Sequence, residues 1–211
     1  YYRPQTGVGL AMQHFPRHPR RIGIVGLGVG TLLSYGQIGD YFRIYDINPQ
    51  VIALAEQQFS FLRESAADYD IITADARLAL ERDPPQRFDI LVLDAFSGDA
   101  IPMHLLTREA VALYFQHLRE DGLLAVHISN RYLNLEPLLQ ALAADQNYSL
   151  RVVRGKAMPD DFGLYRSDWA YITRNQEFLK NPALEPLLDH AQTNRKVLWT
   201  DDFSNLYSLL K

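Results

Sequence analysis

Four short apolar runs, each ending on a glycine loop or an aspartate, constrain this chain more than any other feature. Arg21–Val25 runs into Gly26-Leu-Gly-Val-Gly30, Tyr41–Ile47 carries Asp46 near its end, Tyr69–Thr73 leads to Asp75, and Phe88–Leu93 stops at Asp94. Short runs of Ile, Val, Leu and aromatic residues bounded by turn signals read as buried strands. Helical patterns lie between them. Residues 30–37 can form a short helix. Pro49 follows Asn48 at a first helical turn, with Val51, Ile52, Leu54 and Ala55 as an apolar stripe, and another helix begins over Ala76–Leu80. Thr107 can cap a helix that reaches Leu118, Asp121-Gly122 marks a turn into a strand over Leu123–Ile128, and Leu135–Ala144 reads as a helix. Leu150–Val153 and Trp169–Thr173 read as late strands. This alternation predicts an α/β fold, with a mostly parallel central sheet and helices on both faces.

Residues 1–20, with Pro4, Gly7, Gly9, Pro16 and Pro19, read as a short strand or turn followed by a linker, and residues 21–211 as a single domain. The opening Tyr1-Tyr2 suggests a piece of a longer protein. With 47% hydrophobic and 22% charged residues the chain is expected to fold around a continuous core. It has no cysteine, which removes disulfide scaffolds, thiolate metal sites and cysteine nucleophiles. A net charge of -4, with one local basic cluster at Arg17, His18, Arg20 and Arg21, argues against nucleic-acid binding by bulk charge. No apolar run is long enough for a membrane span. Nothing matches a P-loop, a G-x-S-x-G elbow or a convincing metal spacing, so no metal is expected.

Ligands of such sheets bind at the carboxyl ends of the strands, where these acids fall. The glycine loop, spaced G-x-G-x-G, can bring backbone N–H groups close to a ligand, or can serve only as a tight turn. Asp46 stands twenty residues beyond Gly26, the interval at which an acid reaches ribose hydroxyls; alone it could equally favour a helix start. Asp75 can cap the following helix, accept from an adenine amino group, or do both, with Ile47 and Ala76 against the ring. Asp94 follows the most apolar run in the chain, where an acid without work or a partner is expensive. His104, His117 and His127 read as structural, with His127 the least secure because it ends a strand.

Ile22–Gly30, Tyr45–Ile52, Ala74–Arg77 and Phe88–Asp94 together resemble the spermidine synthase family of aminopropyltransferases, which share the Rossmann-like class I S-adenosylmethionine-dependent methyltransferase fold. Thr6–Ala11, Asp94–Pro102 and Trp199–Ser204 resemble most closely the spermidine-synthase-like domain fused to membrane segments in bacterial proteins. The resemblance implies transfer of an aminopropyl group from decarboxylated S-adenosylmethionine to a putrescine-like amine. It implies that Gly26, Gly28 and Gly30 line the nucleoside, that Asp46 holds the ribose, and that Asp75 with Ala76 holds the adenine. Asp94 takes the place of the catalytic aspartate, with Tyr2 and Asp99 toward the amine. Phe96, Tyr165 and Trp169 could wall the amine's methylenes or be plain core. The family's glycine loop carries an acid where this chain has Val29, so the donor stays open between decarboxylated and whole S-adenosylmethionine. A methyltransferase and a non-catalytic nucleoside-sensing domain are the alternatives. A cytoplasmic homodimer follows from the same resemblance.

Overall fold

The computed structural model describes residues 2–95, 102–155, 167–193 and 195–211. Its centre is an eight-stranded sheet in the order β3-β2-β1-β4-β5-β7-β6-β8. The strands are β1 (Arg21–Val25), β2 (Tyr41–Asp46), β3 (Asp68–Thr73), β4 (Phe88–Leu93), β5 (Leu118–His127), β6 (Ser149–Val153), β7 (Trp169–Thr173) and β8 (Leu188–Asp189). The first five pair in parallel, while β7 runs antiparallel between β5 and β6, and β8 antiparallel to β6. All six residues of β4 are buried, as a strand covered on both faces requires. Two apolar clusters sit on the two faces. One gathers Leu80, Leu105, Tyr114, Leu138 and Trp199; the other gathers Val8, Phe15, Leu33, Phe42 and Phe178.

The helices are α1 (Gly7–His14), α2 (Pro49–Gln58), α3 (Phe61–Glu64), α4 (Ala76–Arg82), α5 (Arg108–His117), α6 (Glu136–Asp145) and α7 (Gln176–Leu179). Side-chain caps start several of them: Asn48 accepts from Gln50 N–H, Asp75 from Leu78 N–H and Thr107 from Ala110 N–H. A 3-10 turn over Thr31–Tyr35 takes the place of the short helix expected after the glycine loop.

Two expectations are corrected. Residues 7–14 are a helix, not a strand or turn, capped by Thr6 and buried over Gly7–Met12. Its glycines are there for close packing: a Cβ on Gly7 would lie 2.4 Å from Trp169 Cβ, and one on Gly9 would lie 2.1 Å from the Arg3 carbonyl oxygen. Asp121-Gly122 does not begin the fifth strand either. The strand starts at Leu118, and the register against β4 jumps from Phe88↔Leu118 to Ile90↔Leu123. The extra residues fold over buried Asp89, which meets Arg119 Nε and Arg17 Nε, each at 3.1 Å. Arg17 also reaches Asp121 at 2.6 Å. An ionised carboxylate at that depth requires cations, and the offset delivers one.

Candidate nucleoside-binding and transfer site

The strand order places the predicted residues in one line along the carboxyl rim: Asp75 after β3, Asp46 at the end of β2, the glycine loop after β1 and Asp94 after β4; His127, read as structural, continues the line at the end of β5. With neighbouring strands about 4.8 Å apart, Asp75 and Asp94 are separated by roughly 14 Å along the rim. A cavity of about 640 Å³ follows this line and is lined by Gly26, Gly28, Asp46, Ile47, Asp75, Ala76, Asp94 and Tyr2, together with His104, His127 and Ser129. That volume lies within the range of small-molecule sites.

Gly26 is fixed twice over. Its φ is +96°, and a Cβ would stand 2.5 Å from the Asp94 carbonyl oxygen, so the ends of β1 and β4 close up only on a glycine. Gly28 has φ +55° and open space where a Cβ would be. Gly30 does not line the cavity; it is buried, with Leu62 3.3 Å from the position of a Cβ. Val29 does not line it either.

Asp46 accepts Leu27 N–H on one oxygen and Asn48 N–H on the other, both at 2.9 Å. It therefore ties the glycine loop to the start of α2, and each oxygen retains a second lone pair. Asp75 caps α4 through one oxygen at 3.0 Å, while the other lies 2.9 Å from His104 Nε2. Burial pushes the Asp75 carboxyl up, but the Leu78 N–H and the His104 ring outweigh it and hold the group below its ordinary range. Ile47 is 69% exposed and Ala76 is buried, both on the cavity wall.

At the other end, Asp94 is gripped from two sides. Tyr2 donates its hydroxyl to Oδ2 at 2.6 Å, and His127 Nδ1 lies 2.9 Å from Oδ1. The Asp94 and His127 side chains are only 8% and 10% exposed. His127 stacks on the buried Trp169 ring, with centroids 4.9 Å apart. Trp169 is thus core beneath the histidine and does not line the cavity. Tyr2 is itself held, because the Tyr35 hydroxyl donates to its carbonyl. Burial pushes the Tyr35 phenol up to about 12, so it remains a donor at neutral pH. Asp99, Phe96 and Tyr165 lie outside the described residues.

His127 and His104 are the site residues that sequence reasoning set aside. His127 ends a strand beside the one that ends at Asp94, the same signal that marked the acids. His104 carries no such signal; it reaches Asp75 only because residues 102–105 fold back over the start of α4. Among the described residues no group of three or more histidines and acids could hold a metal ion. No helix among them is long and apolar enough to cross a membrane.

No family model matches the chain. A polyamine aminopropyltransferase of Vibrio vulnificus is 35% identical over 133 residues, which make up 60% of this chain and 43% of that protein. The crystal structure of spermidine synthase from Thermotoga maritima superposes with a TM-score of 0.61 at 15% identity, covering 89% of this chain and 65% of that one. Human methyltransferase-like protein 13 in complex with SAH superposes with a TM-score of 0.60 at 15% identity, covering 84% and 86%. The chain thus spans less than half of the Vibrio protein and just under two thirds of the Thermotoga chain. The fold is that of the Rossmann-like class I methyltransferases and spermidine synthases.

Proposed function

Starting from a spermidine synthase-like chain, we propose that the rim cavity binds decarboxylated S-adenosylmethionine and that Asp94 assists transfer of its aminopropyl group to an amine. The observation that carries this reading is the single line of Asp75, Asp46, Gly26 and Asp94 along one cavity. Asp75 suits the adenine amino group and Asp46 the ribose hydroxyls. Gly26 and Gly28 leave room for the sulfur-bearing chain. The 35% identity to a polyamine aminopropyltransferase supports the same assignment.

The reaction is an in-line displacement. The amine lone pair forms a bond to the carbon beside the sulfonium, the carbon–sulfur bond breaks, and its electrons stay on sulfur as neutral methylthioadenosine. An alkylammonium has a pKa near 10.4, so making it a neutral nucleophile at pH 7 costs about 4–5 kcal/mol. Asp94 attracts the ammonium and takes its proton as the new bond forms. Alignment of amine and sulfonium in a dry cavity supplies the rest.

Calorimetry with decarboxylated S-adenosylmethionine, S-adenosylmethionine and methylthioadenosine tests the ligand. Binding of none of the three would end the reading, and preference for whole S-adenosylmethionine would favour methyl transfer. A product assay with putrescine then compares wild type with Asp94→Asn. The variant is expected to lose at least a hundredfold in kcat, since general-base assistance contributes roughly 10²–10⁴. Unchanged turnover would remove Asp94 from the mechanism.

A further inference from the structure

The grip on Asp94 has chemical content beyond its two distances. A carboxylate oxygen has two lone pairs. One lone pair on Oδ2 takes the Tyr2 hydroxyl, and one on Oδ1 faces His127 Nδ1. The Tyr2 hydroxyl is a neutral donor. With the carboxylate ionised, a bare Nδ1 would set lone pair against lone pair, so the ring must present Nδ1–H. No arginine or lysine touches Asp94 among the described residues. By contrast, buried Asp89 is met by Arg17 and Arg119, and buried Asp40 by Arg20. The fold therefore sets arginines against its structural acids, and a phenol and an imidazole against this one.

We propose that His127 is a positioning residue for Asp94: its ring, as the Nδ1–H tautomer, holds the carboxylate oriented and anionic without cancelling its charge. This deepens the aminopropyl-transfer reading and rests on it. An arginine in the same place would fix the carboxylate equally well, but would neutralise the attraction that brings in an ammonium group. The Trp169 ring under the imidazole fixes the plane in which Nδ1 points. The remaining lone pair of each oxygen is left for the acceptor ammonium, and the proton it releases goes to the same carboxylate.

Three measurements test this. Long-range ¹H–¹⁵N spectra of the wild-type protein should show His127 with a protonated Nδ1 and a bare Nε2 at neutral pH; a bare Nδ1 would overturn the proposal. His127→Leu removes the donor and His127→Asn returns an N–H at nearly the Nδ1 position. With methylthioadenosine bound, putrescine affinity should fall at least tenfold in His127→Leu and recover to within about threefold of wild type in His127→Asn. In turnover, His127→Leu should raise the KM for putrescine and lower kcat together, with the same recovery in His127→Asn. A His127→Asn variant as poor as His127→Leu, or a His127→Leu variant as good as wild type, would overturn it. Methylthioadenosine affinity reports on the nucleoside end and should stay within twofold in both variants. If wild type itself binds no methylthioadenosine, the transfer reading fails, and the tautomer alone then decides whether His127 serves Asp94.

Discussion

Asp46 works at the scale of single atoms, accepting Leu27 N–H and Asn48 N–H at 2.9 Å each. A ribose would share a carboxylate that is already oriented by the loop and by the start of α2, so little ordering is left for binding. Replacing it by Asn keeps the shape, removes the charge and turns one acceptor into an NH₂ group that faces a backbone N–H. Hydrogen bonds to charged groups contribute about 1.5–3 kcal/mol each. Asp46→Asn is therefore expected to weaken methylthioadenosine binding by tenfold or more, read by calorimetry. An unchanged dissociation constant would take Asp46 out of sugar recognition.

At the scale of elements, α1 shows how a glycine can be misread. Ala is a better helix former than Gly by about 1 kcal/mol, so propensity alone expects Gly9→Ala to stabilise α1. The Cβ would instead meet the Arg3 carbonyl oxygen at 2.1 Å, and backbone cannot swing aside as a side chain can. Gly9→Ala is expected to cost about 1–3 kcal/mol net, measured by urea unfolding. A more stable variant would refute the close packing. The same distinction decides what was legible in the sequence. Strands β1 to β4 were readable because apolar stretches such as Ile90–Leu93 sit inside them and stop at glycine or aspartate. Helix α1 was not, because its glycines answer to Trp169 and Arg3, which are distant or outside the periodic pattern. The offset in β5 was hidden for a like reason: it exists to bring Arg119 onto Asp89, a pairing across strands that no local signal announces. Of the residues that line the cavity, Asp46, Asp75 and Asp94 were legible from their place at strand ends. His127 had the same place but a residue type more often structural, and only the 2.9 Å contact with Asp94 separates the two.

For the molecule as a whole, a buried ion pair and a buried histidine sit at the end of the sheet opposite the rim that holds the cavity. Arg20 precedes β1 and Asp40 precedes β2, at the amino ends of the strands, both side chains with no solvent exposure. Arg20 binds both Asp40 oxygens, at 2.7 Å through its backbone N–H and 2.6 Å through its guanidinium, and also reaches the carbonyls of Met12 and Tyr35. Burial pushes the Asp40 carboxyl up, but the Arg20 hydrogen bonds and charge hold it below the ordinary carboxylate range. His117 is buried at the end of α5, and desolvation pushes its ring down. In both cases the unfolded chain binds the proton more readily than the folded one, so both contributions grow as pH rises. The His117 part is complete above its unfolded value of about 6.5 and is lost as pH falls toward the folded one; the Asp40 part begins to go only below about 3.9. Urea midpoints from pH 7.5 to 3 are expected to fall in two stages. His117→Gln should flatten the upper stage alone. Asp40→Asn strands a buried guanidinium and should cost about 3–5 kcal/mol at every pH above 4. Because the pair is remote from the rim, methylthioadenosine affinity of the folded Asp40→Asn protein should stay within twofold of wild type. A large loss of affinity there would mean that the two ends of the sheet are coupled, and that the cavity depends on packing beneath it as well as on the residues that line it.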